Sequence, residues 1–279
     1  MPLLVVAGCS AAPLSEVSDP TTVNRAKNVT GSSFRLAVVG DTGTGSEQQF
    51  QVADLIESHD EMADIDWLVI LGDMIYEDGD PSLIDEVVLV PYAETLDGTT
   101  SLVPVLGNHD VRSQAGDKIM SKLGAPGRWY AISTKLLHLV VLDSTRPHDE
   151  DQLRFLYRTL QETASEWVVV SLHHPPFSAG YHGSDLVMQD VFVPVFETYG
   201  VDLVLSGHEH DYQRSHPING ITYVISGAGG KLRPTDTLPF TAFSASVPHF
   251  LIITIKSDSL IADVVSKEGV IDRFELFSS

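Results

Sequence analysis

Cysteine is almost missing from this chain of 279 residues. There is one, so no internal disulfide can form and no zinc–thiolate cluster can be built. Any metal ion must then be held by oxygen and imidazole nitrogen. Basic residues are scarce as well: 17 Lys and Arg stand against 38 Asp and Glu, a formal net charge of -21. That excludes nucleic acid as a main partner, because binding it depends on neutralising phosphates. The same deficit repels small anions at long range. A phosphate site would therefore need strong local positive charge, which metal ions can supply. The acidic excess equally suits a solvated surface in a salty habitat. No run reaches the roughly 18 apolar residues of a membrane span. With 43% hydrophobic residues the chain is not disordered, and its length fits one large domain or two small ones.

The first residues differ from the rest. Leu3-Leu4-Val5-Val6-Ala7-Gly8-Cys9-Ser10 is a short apolar stretch followed by small residues. Val6-Ala7-Gly8-Cys9 resembles a bacterial lipoprotein signal, which implies export, a lipid anchor through Cys9 and a periplasmic or cell-surface location in a bacterium. No basic residues precede it, so Met1 reads as an internal start within a longer leader. Asn28-Val29-Thr30 matches a glycosylation sequon, which has no meaning in a bacterial protein. Ser10 to Ser33 is rich in Ser, Pro, Thr and Asn and reads as a linker. Residues 1–33 are thus a leader remnant and linker, and 34–279 a single folded domain.

Within that domain apolar runs end repeatedly in the same way. Phe34–Val39 stops at Gly40-Asp41-Thr42-Gly43, and Trp67–Leu71 at Gly72-Asp73-Met74-Ile75-Tyr76. Leu102–Leu106 leads to Gly107-Asn108-His109-Asp110, Trp167–Leu172 to His173-His174-Pro175, and Val201–Leu205 to Ser206-Gly207-His208-Glu209-His210. Each run is short enough to be a buried strand. Helices alternate with them: one begins after the capping Ser46, another from about Ser82, others over Gln114–Leu123, around Leu153, Leu156 and Leu160, and over Asp185–Tyr199 with a break at Pro194. From Ile221 on, nearly everything reads as strand. This order predicts two sheets packed face to face with helices outside.

Open α/β sheets keep their ligand sites at strand ends. Asp41, Asp73, Tyr76, Asn108, His173, His208 and His210 can therefore converge there although they are far apart in the chain. Carboxylate, imidazole, amide oxygen and phenolate are the donors a thiolate-free metal pair requires. Asp73 has two oxygens and can bridge. His208 and His210 are two residues apart, so on extended backbone they share a side.

In order, these five blocks resemble those of the calcineurin-like metallophosphoesterases. The Tyr three residues after the second Asp resembles the purple acid phosphatases among them, in their small single-domain form. The resemblance implies a four-layer α/β/β/α sandwich of two mixed sheets and a dinuclear site. It places iron(III) on Asp41, Asp73, Tyr76 and His210. A second ion (iron, zinc or manganese) falls to Asp73, Asn108, His173 and His208. The Val-x-x-His spacing selects His173 over its neighbour His174.

The implied reaction is hydrolysis of a phosphorylated small molecule, with a metal-bound hydroxide attacking phosphorus in line. The departing alkoxide needs a proton. His109, beside Asn108 and open to orientation by Asp110 or another carboxylate, is the first candidate donor; His182, in the loop after the His173 strand, is the second. Arg214 reads as the partner of a carboxylate, and Asp143 as a turn residue or a support beside the site. Two other readings stay open: a phosphodiesterase or nucleotidase of the same superfamily, and a metal-binding protein without turnover.

Overall fold

The computed structural model describes residues 22–23, 33–96 and 98–278. Cys9 and the sequon at Asn28 lie outside the described residues. In chain order the strands are β1 (Thr22–Val23), β2 (Phe34–Val39), β3 (Trp67–Ile70), β4 (Ser101–Pro104), β5 (Tyr130–Ser133), β6 (Leu137–Val141) and β7 (Trp167–Ser171). Then follow β8 (Leu203–Ser206), β9 (Tyr212–Ser215), β10 (Thr222–Ser226), β11 (Thr241–Ala245), β12 (Phe250–Ile255), β13 (Ser259–Ser266) and β14 (Gly269–Phe277). The helices are α1 (Glu47–Met62), α2 (Ala93–Leu96), α3 (Gly116–Lys122), α4 (Glu150–Glu162), α5 (Leu186–Val191) and α6 (Val193–Thr198).

The strands form two mixed sheets. One is eight-stranded, in the order β1-β5-β6-β7-β8-β10-β9-β11, and the other six-stranded, β14-β13-β12-β2-β3-β4. Parallel pairing joins β2 to β3 and β3 to β4 in the smaller sheet. In the larger it joins β6 to β7, β7 to β8 and β8 to β10. All seven of these parallel strands therefore deliver their C-terminal ends to corresponding edges of the two sheets.

Strand periodicity explains the layering. Side chains alternate between faces. In the larger sheet Leu137, Leu139, Val141, Val169, Leu203 and Leu205 enter the main core that the two sheets share. Their neighbours Val140, Val168, Val170 and Val204 enter a second core with Phe155, Leu156 and Leu160 of α4 and with Phe192 and Phe196. Helix α1 adds Val52, Ala53 and Ile56 to the main core. The result is the α/β/β/α arrangement expected from the sequence.

Local signals also appear. Ser46 caps α1 by accepting from the Gln49 amide, and Asp149 caps α4. The segment from Asp185 breaks at Phe192, ahead of Pro194. The helix expected from Ser82 is irregular instead. It comprises a 3₁₀ turn at Pro81–Leu83, a π-helical turn at Asp85–Leu89 and the short α2. Strands β9 and β11 were not legible, because Tyr212-Gln213-Arg214-Ser215 and Thr241–Ala245 lack an apolar alternation.

Candidate metal centre

Five strand ends build the cluster. Asp41 follows β2, Asp73 and Tyr76 follow β3, Asn108 follows β4, His173 follows β7, and His208 and His210 follow β8. Three of them pay a conformational cost: Asp41, Asp73 and His208 have φ of 57°, 50° and 70°, the left-handed region that residues with a Cβ seldom enter. Such strain concentrates at functional sites. Backbone bonds hold it in place: the Asp41 amide donates to the Gly72 carbonyl at 3.0 Å and the Gly43 amide to the Asp73 carbonyl at 3.1 Å.

The loops interlock at glycine. A Cβ on Gly107 would stand 2.2 Å from both the Asp73 amide nitrogen and its Oδ1, and one on Gly207 would stand 2.6 Å from Asp41 Oδ2. Neither position has room for a side chain.

The predicted residues come together. One donor atom from each of Asp41, Asp73 and His173 lies within 4.8 Å of the others. Tyr76 Oη donates to Asp41 Oδ1 at 3.1 Å and lies 3.2 Å from His210 Nε2. His173 Nε2 is 3.2 Å from Asn108 Oδ1 and 3.4 Å from Asp73 Oδ1. The His208 amide donates to Asp41 Oδ2 at 2.8 Å, and the His208 ring centroid is 5.1 Å from that of His173.

The electrostatics call for a cation. Asp41 and Asp73 are almost wholly buried, at 0% and 2% exposure. Burial holds the Asp41 carboxyl well above the usual carboxylate range, against the pull of His173 and with Asp73 adding to the rise. Burial also opposes charge on Asp73, but His173 outweighs it and the carboxyl ends below its ordinary value. For His173, burial disfavours the imidazolium, yet Asp73 and then Asp41 carry its pKa up to about 10. In effect the acids recruit a positive charge onto the nearest imidazole. The Tyr76 phenol is pushed up by burial and then by Asp41 and Asp73, so only a strong cation would make it a phenolate.

The remaining imidazoles are in the ligand form. Burial, then the neighbouring cations Arg233 and Lys231, lower His210 to about 3; burial, then His173, lower His208 further. Both are neutral, with a lone pair to offer. These buried oxygen and nitrogen donors fit a metal ion or a pair of them.

One expected detail is corrected, and the places of the other residues follow it. Asp110 does not orient His109. It is buried and accepts from the Gly107 amide (2.8 Å) and the Ile75 amide (3.0 Å), tying two ligand loops together. His109 is set instead by the Glu77 carbonyl, 2.6 Å from Nδ1, which leaves Nε2 3.9 Å from Asp73 Oδ2 and 3.1 Å from Arg112 Nη2. His182 stacks on His208 with ring centroids 4.3 Å apart, and its Nε2 is 2.9 Å from Arg233 Nη1. His174 Nδ1 pairs with Ser144 Oγ at 2.8 Å, and burial, then His173, keep it neutral with a pKa of about 3. Arg214 pairs with Asp272 at 2.8 Å, and Asp143 pairs with Arg128 at 2.7 Å.

Four residues were missed. Glu77 carries the carbonyl that holds His109, and its carboxylate reaches Lys231 Nζ at 2.8 Å. Glu209 is fully buried, accepts from the His182 amide at 2.7 Å and lies 3.5 Å from His182 Nδ1. Lys231 and Arg233 come from a sixth strand end, after β10, whose Gly227-Ala228-Gly229-Gly230 turn packs on the Asp41 loop. Two basic residues after a glycine-rich strand end, in so acidic a chain, were the available signal.

With this geometry established, comparison with known proteins is informative. The model of the calcineurin-like phosphoesterases matches residues 34–212. The chain is 27% identical over 236 residues to purple acid phosphatase 3 of Arabidopsis thaliana, covering 72% of this chain and 64% of that protein. It is also 27% identical over 243 residues to human tartrate-resistant acid phosphatase type 5, covering 73% and 75%. Among solved structures, GAP50, described as the anchor in the inner membrane complex of Plasmodium, superimposes with a TM-score of 0.79 at 19% identity over 89% of this chain and 90% of that one. Purple acid phosphatase PPD1 from yellow lupin does so at 0.76 and 17%, over 88% and 54%. At such identities these two speak for the fold alone. The ordered strand-end blocks, their convergence on one buried acid pair and the match over residues 34–212 lead to one conclusion: this chain belongs to the calcineurin-like phosphoesterase family, and its relatives include purple acid phosphatases.

Proposed function

We propose that residues 34–279 form one catalytic domain that hydrolyses phosphomonoesters at a dinuclear metal centre of the purple acid phosphatase kind. The observation that carries this reading is the convergence of Asp41, Asp73 and His173 within 4.8 Å, all three buried. Asp41, Asp73, Tyr76 and His210 would hold iron(III). Asp73, Asn108, His173 and His208 would hold iron, zinc or manganese. When bound, such a pair polarises phosphate oxygens and acidifies water.

The protein's own residues do the rest. His173 donates from Nδ1 to the Leu71 carbonyl at 2.8 Å, which presents Nε2 to the site in one tautomer. The His109 amide donates to Asp73 Oδ1 at 2.9 Å and orients that carboxylate. His109 is the better placed proton donor to a leaving alkoxide. Its Nε2 lies beside Asp73, whereas His182 stands one ring farther out. Tyr76, at the place where the chain resembles the purple acid phosphatases, supports monoester hydrolysis over the diester reading.

Metal analysis and an absorption spectrum of protein purified without added metal, followed by assays on phenyl phosphate and bis(4-nitrophenyl) phosphate, test the reading. Two metals per chain, a visible phenolate band and faster monoester turnover are expected. Diester preference would overturn the substrate class. Full metal occupancy without turnover would overturn catalysis altogether.

A further inference from the structure

The segment after β10 is clamped to the metal centre. Gly229 N–H donates to the Gly40 carbonyl (3.1 Å), Gly230 N–H to the Asp41 carbonyl (3.0 Å), and Arg233 N–H to the His210 carbonyl (2.9 Å). A Cβ on Gly229 would meet the Gly40 carbonyl oxygen at 2.7 Å, and one on Gly230 the Thr42 carbonyl oxygen at 2.8 Å. The glycines thus let this segment lie flat on the ligand loop, and the two cations that follow are set at the rim by backbone bonds rather than left to swing.

Their surroundings bear on what these cations can bind in a chain of net charge -21. Arg128, Arg154, Arg214 and Arg273 each pair with a carboxylate. Among the described residues no carboxylate lies within ion-pair distance of Arg233. Its guanidinium rests 4.9 Å from the Tyr181 ring and 2.9 Å from His182 Nε2. Lys231 Nζ sits 3.6 Å from the Tyr76 ring centroid and pairs with the largely exposed Glu77 at 2.8 Å. An arginine held on aromatic faces keeps its donor fork available to an anion.

Position decides which anion. The His182 ring lies between Arg233 and His208, stacked on the latter at 4.3 Å. Arg233 therefore stands one ring out from the metal ligands. From a phosphate held at the predicted ligands, Arg233 would be reached by what that phosphate carries.

We propose that Arg233, supported by Lys231, binds a second anionic group on the leaving-group side of the substrate. The preferred substrate class is then a phosphomonoester whose alcohol also bears a phosphoryl or carboxyl group. This rests on the phosphoesterase reading above and narrows it.

Non-hydrolysable probes separate binding from turnover. Metal-loaded protein is titrated with methylphosphonate, methylenediphosphonate and phosphonoacetate, with metal content checked afterwards. At least one doubly anionic probe should bind about tenfold or more tighter than methylphosphonate, and which one does so identifies the second group. Arg233→Met should weaken that probe at least about fivefold more than methylphosphonate, and Lys231→Met should act in the same direction by less. Equal weakening of all probes, or no advantage for a second charge in the unaltered protein, overturns the subsite and leaves the phosphoesterase reading intact. Failure of methylphosphonate itself to bind overturns both.

Discussion

His173 Nδ1 donates to the carbonyl oxygen of Leu71 at 2.8 Å, and this bond crosses from one sheet to the other. His173 ends β7 of the larger sheet and Leu71 ends β3 of the smaller. The bond fixes the imidazole tautomer and also registers the two halves of the centre against each other. The predictions that follow rest on that joint geometry.

Asp73 is the proposed bridge. Asp73→Ala should remove both metals and reduce phenyl phosphate hydrolysis by more than the roughly 10–100-fold that loss of a supporting residue costs. Elemental analysis of the purified variant checks this. Near-normal metal content would refute the bridging role.

Tyr76 is expected to be the source of colour. Its phenol now donates to Asp41 Oδ1 at 3.1 Å. Tyr76→Phe should abolish the visible charge-transfer band while leaving the fold intact, read by absorption and circular dichroism. A surviving band would withdraw Tyr76 from the iron.

Proton donation to the leaving group is expected to depend on His109. His109→Ala should cost about 10²-fold or more on an alkyl phosphate and much less on 4-nitrophenyl phosphate, whose leaving group needs no proton. His182→Ala should discriminate less between the two. Equal losses on both substrates for His109→Ala would end its role as an acid.

Asp110 joins the Gly107 and Ile75 amides and touches no predicted ligand side chain. Asp110→Ala leaves two buried donors unsatisfied and should lower stability by about 2–4 kcal/mol in urea unfolding. Metal affinity should fall with it, because the Asp73 and Asn108 loops lose their tie. Unchanged stability would show that water or a rearranged loop replaces the carboxylate.

Acid stability is expected to depend in part on His138 in β6. It is buried between Ser133 Oγ (2.8 Å) and Thr159 Oγ1 (3.0 Å), and burial lowers its pKa to about 4. The unfolded chain takes up this proton near pH 6.5 and the folded chain does not, so its contribution falls as pH drops from about 6.5 toward 4. The stability of the unaltered protein relative to His138→Gln should shrink by up to about 3 kcal/mol over that window. A constant difference across pH would mean that His138 does not titrate with unfolding.

Much of the fold was open to sequence reading because each signal was local. Trp67-Leu68-Val69-Ile70 is too short and too apolar for anything but a buried strand, and Ser46 announces its helix one residue ahead. The turn region at Pro81–Leu96 was harder. Its apolar residues suit a helix, and only packing broke it into 3₁₀, π and α turns. Strand β9, Tyr212-Gln213-Arg214-Ser215, carries no apolar pattern, and only its pairing with β10 and β11 makes it a strand.

The amino-acid order by itself determined which chemical groups stand at the ends of which strands, and through them the family. It also determined that no thiolate could take part. Tertiary structure alone decided what those groups meet. It set His109 on the Glu77 carbonyl instead of Asp110, put Asp110 to work as a brace, and brought a sixth strand end, with Lys231 and Arg233, to the rim. The reason is physical: partners such as Arg233 and His182 are 51 positions apart, and sheet order, not proximity in the chain, places them side by side.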